Sequence, residues 1–262
     1  KHLLYLFDGV PASFFQFFFT GEITSLFMAK SLEVVRGPGS VLYGGNAMNG
    51  LVQVNSVSFS DLKGKSEVRV KVGDYEYANF DVLTGVEGKH FNTLISFSTF
   101  HTNGNEYLSY DNSGRMDSLG NLLKFKVPNK LTSQYFWAKL EGKNKLDGVS
   151  LNYHFQSLKF QTDHGFTGFI PDLGEYNSTT RNLFVLKYVS PTSSRHLKQE
   201  YVLKYNFTLL DWNIRFFPNG AFGNSLPAGA TEIIKTPIHE GFARTQWTYI
   251  CENNVTILGG LE

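Results

Sequence analysis

The sequence predicts an all-β protein: a partial transmembrane antiparallel β-barrel of about nine strands, preceded by part of a small domain punctuated by Gly and Pro. Three observations carry this. Apolar and polar residues alternate persistently from about residue 66 to the end, the period of strands with two unlike faces. The connections alternate between short and long, as in a meander with tight turns at one end and loops at the other. Aromatic residues make up 15% of the chain while mean hydropathy is only −0.19, so abundant apolar surface is interleaved with polar residues.

Two zones divide near residue 60, giving expected domains of 1–60 and 61–262. In the first, the apolar stretches Leu3 to Phe7, Leu32 to Val35 and Leu51 to Val54 are separated by Asp8-Gly9-Val10-Pro11, Gly37-Pro38-Gly39 and Gly44-Gly45. These read as short strands joined by tight turns. In the second, Val68, Val70 and Val72 alternate with Glu67, Arg69 and Lys71, and Phe80, Val82, Thr84 and Val86 with Asn79, Asp81, Gly85 and Glu87. Further strands are expected over 90–101, 133–142, 147–159, 181–190 and 198–209, with apolar faces near Val255, Ile257 and Leu261. The clearest sets Val149, Leu151, Tyr153 and Phe155 against Ser150, Asn152, His154 and Gln156. Long connections fall at 102–132, 160–180 and 210–243, and tight turns at Gly88-Lys89, Lys143 to Lys145, Pro191 to His196 and Asn253-Asn254. The link from Gly73 to Glu76 is short although it falls on the long-loop side.

Alternation alone serves a soluble β-sandwich or lipocalin-like barrel equally well. The long loops on one side, and faces carrying Arg69, His154, Gln156 and Lys204, favour strands that turn apolar side chains outward to lipid. No stretch approaches the roughly 18 apolar residues of a transmembrane helix. Formal net charge is +1, which makes no electrostatic case for nucleic acid. The one cysteine, Cys251, excludes an internal disulfide framework. Seven His are scattered over separate segments, and no Ser/His/acid set stands at a recognisable spacing, so neither an enzyme nor a cofactor or metal site is expected. The glycines of 37–45 lack the Lys-Ser/Thr closure of a phosphate loop, since Gly44-Gly45 is followed by Asn46-Ala47-Met48.

Ser31 to Asn55 contains Glu33-Val34-Val35-Arg36-Gly37-Pro38-Gly39-Ser40, then Tyr43-Gly44-Gly45-Asn46-Ala47 and a final strand to Asn55. This closely resembles the end of the plug domain in TonB-dependent outer-membrane receptors. Leu3 to Pro11, with its Asp-Gly-Val-Pro turn, looks like the family's earlier plug strand. The resemblance is specific over residues 3 to 55 and extends to the rest of the chain in layout.

It implies a receptor in the bacterial cell outer membrane that binds a ferric siderophore, haem or cobalamin and imports it by energised plug movement. Its implied partners are TonB, through a segment missing here, the outer-membrane lipid, and a metal-chelate or other small nutrient ligand. The barrel would have about 22 strands, so the chain is expected to be a piece of a longer polypeptide. Plug–barrel contact is expected at Glu33, Arg36, Gly37, Pro38, Gly39, Tyr43 and Gly44, with Arg69, Lys71 and Glu67 as available partners. A plug loop with Phe14, Phe15, Gln16, Phe17 and Phe18 is expected to face the ligand, through stacking, or else to pack on the wall. His101, His154 and His164 are weaker candidates as haem ligands. Outside this family, a secreted or surface β-sandwich binding or adhesion module remains the alternative, and an outer-membrane enzyme a third class.

Overall fold

A computed structural model describes residues 3–12, 25–37, 50–105, 107–127, 129–161, 175–190, 197–250 and 256–261. Two sheets organise them. The first has four strands in the order β2-β1-β4-β3: β1 (Leu3–Phe7), β2 (Val10–Pro11), β3 (Ala29–Arg36) and β4 (Gly50–Ser56). It is mixed, because β1 runs parallel to β4 while β2 and β3 run antiparallel to their neighbours. Asp8 and Gly9 close the β1–β2 hairpin with φ of 48° and 78°, the left-handed pair a two-residue hairpin loop demands and Asp-Gly supplies.

The second sheet has nine strands in a consecutive antiparallel run. These are β5 (Glu67–Gly73), β6 (Tyr77–Glu87), β7 (Phe91–Thr102), β10 (Leu131–Gly142), β11 (Val149–Phe160), β12 (Tyr176–Val189), β13 (Leu197–Phe217), β14 (Ala230–Ile250) and β15 (Thr256–Leu261). A separate hairpin, β8 (Tyr107–Tyr110) and β9 (Lys124–Val127), stands within the connection from β7 to β10. The meander places the connections at 103–130, 161–175 and 218–229 at one end, with the β5–β6 turn, and the four remaining connections at the other. This is the expected layout.

Two boundaries move. β12 begins at Tyr176, five residues before the expected strand, and the anticipated 210–243 loop contracts to 218–229 because β13 and β14 each run 21 residues. The reason is a change of face. Apart from Val202, the apolar residues of β13 through Leu209 point away from the first sheet, but Leu210, Trp212 and Ile214 lie on the opposite face, buried together with Ile234 and Ile238 against them. The alternation inverts there without stopping, which mimics the end of a strand.

The nine-stranded sheet is apolar outside and largely polar inside, with apolar patches where the first sheet packs. On β11, Asn152, His154 and Gln156 are buried, whereas Leu151 is 38% exposed. Val68, Val70, Phe184, Leu186, Leu203 and Tyr205 are likewise exposed, and outward aromatic pairs such as Tyr153–Phe184, 4.7 Å between ring centres, run across strands. The first sheet covers the polar face. This arrangement excludes the soluble sandwich, which would bury the apolar face. Among the described residues no helix is long and apolar enough to cross a membrane.

Between the sheets runs α1 (Phe59–Leu62), so the expected division at residue 60 falls inside this short helix. Ser58 donates to the Asp61 carboxylate from its backbone N and Oγ at 2.8 and 2.7 Å, and Lys30 Nζ lies 2.7 Å from the same group. The Lys30 hydrogen bond, with those from Ser58, holds the Asp61 carboxyl well below its ordinary 3.8. Gly85 on β6 leaves room for the helix: a Cβ there would lie 3.0 Å from Leu62 and 3.1 Å from Phe59.

Candidate functional site: the interface between the two sheets

The main core lies at the junction. Phe7, Ala12 and Met28 from the N-terminal unit and Leu62 from α1 are buried against Leu83, Leu94, Tyr135 and Trp137 of the nine-stranded wall. Phe7 meets the His154 ring edge-on at 4.2 Å, and the Tyr135 hydroxyl lies 2.6 Å from His154 Nδ1.

The hairpin turn makes the most specific contact. Val10, 2% exposed, enters an apolar socket formed by Leu183, Val185 and Val202, with Phe242 packed alongside. Around it, wall cations donate to successive backbone carbonyls. Lys187 Nζ reaches Asp8 O at 3.3 Å, an Arg244 guanidinium nitrogen Gly9 O at 3.0 Å, Lys204 Nζ Pro11 O at 3.0 Å and an Arg181 guanidinium nitrogen Ala12 O at 2.5 Å. The left-handed turn is what permits this: it pairs Phe7 with Val10 tightly and leaves its carbonyls pointing to the wall. Asp8 turns its carboxylate inward, accepting from Ser56 N and Oγ at 2.7 Å each, which ties the turn to β4. A second attachment follows, where Lys139 Nζ donates to Ser56 Oγ at 3.1 Å and Glu141 accepts from Phe59 N at 3.0 Å. Between the two attachments lies a cavity of about 170 Å³ lined by Phe7, Asp8, Val10, Lys139, Ser150, Asn152, Val185 and Lys187. It sits toward the short-turn end.

The contacts also give the chain a direction. Gly9 is held by Arg244, which pairs with Val202; Pro11 by Lys204; and Ala12 by Arg181, which pairs with Thr208. Each step is farther along β13 from the short turns, so Gly9 to Ala12 runs toward the long-loop end.

The expected contact residues fare differently. Glu33 is exposed on β3 and accepts from Asn55 Nδ2 at 2.6 Å; Arg36, also exposed, ends that strand, and Gly37 follows with φ of 100°. Among the described residues neither Glu33 nor Arg36 forms an ion pair. Arg69 pairs instead with Asp81 at 2.8 Å and covers the Phe27 ring, and Lys71 and Glu67 are exposed. Pro38, Gly39, Tyr43 and Gly44 lie outside the described residues, as do Phe14, Phe15, Gln16, Phe17, Phe18, His164 and Cys251. His101 bonds Thr132 near the long-loop end at 3.1 Å, while His154 is buried beneath Phe7. Among the described residues no three His, Cys, Asp or Glu side chains gather as a metal site would require.

Sequence reasoning missed the ring of wall cations. The one available signal was cations on polar strand faces, Arg181, Lys187, Lys204 and Arg244.

Residues 1–51 match the family described as the TonB-dependent receptor plug domain. Over 99% of its length the chain superposes on the ferric enterobactin receptor PfeA from Pseudomonas aeruginosa, with a TM-score of 0.70 at 13% identity, covering 40% of that chain. Residues 1–51 thus match the plug family, and the nine-stranded sheet shares its fold with part of the PfeA barrel. The copper transporter OprC is similar over 99% of this chain and 38% of its own, with a TM-score of 0.63 at 15% identity. The siderophore receptor PiuA from Acinetobacter baumannii matches 94% of this chain and 35% of its own, with a TM-score of 0.62 at 11% identity. The present chain therefore spans 35–40% of these receptors: the plug sheet and nine adjoining barrel strands.

Proposed function

We propose that this chain belongs to an outer-membrane receptor that captures a scarce nutrient complex at its external mouth and imports it to the periplasm. Cargo of this kind is a ferric siderophore, haem or cobalamin, and TonB, acting through a segment N-terminal to these residues, supplies the pull on the plug. No bond in the cargo is broken, so the protein is not an enzyme. The apolar outer face contacts outer-membrane lipid. The plug is residues 1–60 and the barrel begins at 61.

The observation that carries this reading is the docked turn. The plug is attached to the wall by hydrogen bonds, by Val10 in its socket and by the core in which Phe7, Ala12 and Met28 meet Leu83, Leu94 and Trp137. Gly9 to Ala12 runs toward the long-loop end, which supports Phe14, Phe15, Gln16, Phe17 and Phe18 as ligand contacts. Glu33, Arg36, Gly37, Pro38, Gly39, Tyr43 and Gly44 are proposed to meet barrel wall beyond the nine strands present.

The test is uptake by the complete receptor in a strain stripped of its own receptors, with and without TonB. Labelled ferric catecholate, haem, cobalamin and a copper complex serve as cargo. Accumulation of one of them only when TonB is present is expected. Equal accumulation with and without TonB, or none of any cargo, refutes the reading.

A further inference from the structure

The polar contacts between the plug turn and the wall divide charge unequally. Among the described residues, every such contact from Asp8 to Ala12 is a neutral backbone carbonyl accepting from a wall cation. The anionic partners of three of those cations belong to the wall itself. Glu200 on β13 holds Lys187 at 3.1 Å and Arg244 at 2.7 Å, and Glu240 on β14 holds Lys204 at 2.5 Å. The Lys204 side chain is only 1% exposed, so its charge has little access to water while the plug is docked. Removing one member of a buried ion pair strands the other. A plug that carried the carboxylates would have to strand these cations each time it left.

We propose that Glu200 and Glu240 are positioning residues of the import step: they keep Lys187, Arg244 and Lys204 paired after the plug turn departs, so the plug detaches without separating an ion pair. The carboxylates act through the cations and touch no cargo. The cation-to-carbonyl bonds then set the strength of docking, and the carboxylates hold that strength down, because a cation already shared with a carboxylate donates less strongly to a carbonyl. The proposal rests on the import reading above and extends it to how the plug is released.

The consequence has an unusual sign. Glu200→Gln or Glu240→Gln removes an interaction from the folded protein, yet it tightens the plug on the wall. The experiment uses the complete receptor in outer-membrane preparations, spin-labelled through Ser31→Cys on the exposed β3. Urea release of the plug is followed against heat-modifiable migration of the barrel, which reports whether the barrel is folded. Expected are slower plug release by about fivefold to tenfold in either Gln variant and faster release in Lys204→Met. In whole cells the maximal TonB-dependent uptake rate should fall with half-saturating cargo concentration unchanged. Release that is unchanged or faster in both Gln variants overturns the proposal, since a merely structural carboxylate would loosen the plug. Two substitutions on different strands keep the test available if one fails to fold. The urea measurement needs no cargo, so absence of uptake by the unaltered receptor would overturn the import reading and leave the sign of the urea result to decide this one.

Discussion

Replacing Lys204 by Met isolates one clasp. Met keeps the apolar stem packed beside Phe242, over which the ammonium sits at 5.3 Å, and removes the charge. Two bonds are lost: to Pro11 O at 3.0 Å and to Glu240 at 2.5 Å. The first leaves a carbonyl at the plug–wall junction without its charged donor, at a cost of roughly 1.5–3 kcal/mol. The second costs little, because Glu240 is 38% exposed and a carboxylate that reaches water forfeits most of a pair's worth. The net loss of about 1.5–3 kcal/mol belongs to docking and not to the barrel, and it raises the undocked plug population by roughly 10- to 150-fold. Hydrogen exchange of β1 and β4 amides in the complete receptor reads this directly, with the β11–β13 ladder as internal reference. Unaltered exchange in β1 and β4, or equal acceleration in plug and barrel, would show that the Lys204 bond does not hold the plug.

Three further substitutions probe other levels. Leu151→Arg should lower barrel folding stability by roughly 2–4 kcal/mol if that residue lies near the bilayer midplane. Asn152→Arg, on the buried lumen face beside the cavity, should spare the barrel and displace the plug; equal effects of both on barrel refolding into lipid would contradict the inside-out reading. Asp61 has a folded carboxyl held below its ordinary 3.8 by Lys30 and Ser58, so its contribution is complete above about that pH and is lost as pH falls further through the folded value. A carboxyl NMR titration should therefore find its midpoint well under 3.8, and a midpoint at or above it would disprove the Lys30 attachment. Asp111 is buried and accepts from Ser113 N and Oγ and from Arg115, whose guanidinium also reaches Asn219 O at 3.3 Å, while Phe222 N donates to Ser113 O at 2.8 Å. Asp111→Asn should cost the joined loops about 3–5 kcal/mol, seen as faster exchange in both 107–127 and 218–229 with barrel melting unchanged; loosening of only one loop would show they are not coupled.

The barrel was legible because alternation along each strand is a local property. Val149 to Gln156 reveals its two faces with no knowledge of its neighbours, and the short and long connections supply the order. Where the local rule changes meaning, reading fails: Leu210, Trp212 and Ile214 continue the strand with its apolar face reversed. The site was less legible for a different reason. Glu33 and Arg36 stand out as charges in a motif, whereas the docking that the structure describes uses carbonyls of residues 8–12, which no side-chain pattern announces. Their partners Lys187, Lys204 and Arg244 come from strands β12, β13 and β14, brought to one turn by the pairing that sets Lys187 and Arg244 on either side of Val202.

The reversal on β13 also marks a height. Outward-facing Tyr201, Leu203, Tyr205, Phe207 and Leu209 give way to Asp211 and Asn213, so the greasy girdle stops at Leu209 while the ladder to β14 continues to Phe217 and Ala230. At about 3.3 Å per residue, some 25 Å of paired strand continues past that point. A hydrogen-bonded ribbon of that length behaves as a mast, not a tether. Its foot lies in the same two strands that carry Lys204, Arg244, Glu200 and Glu240, and β12 braces it as far as Asn213, so a load on its tip reaches the docking site as torque.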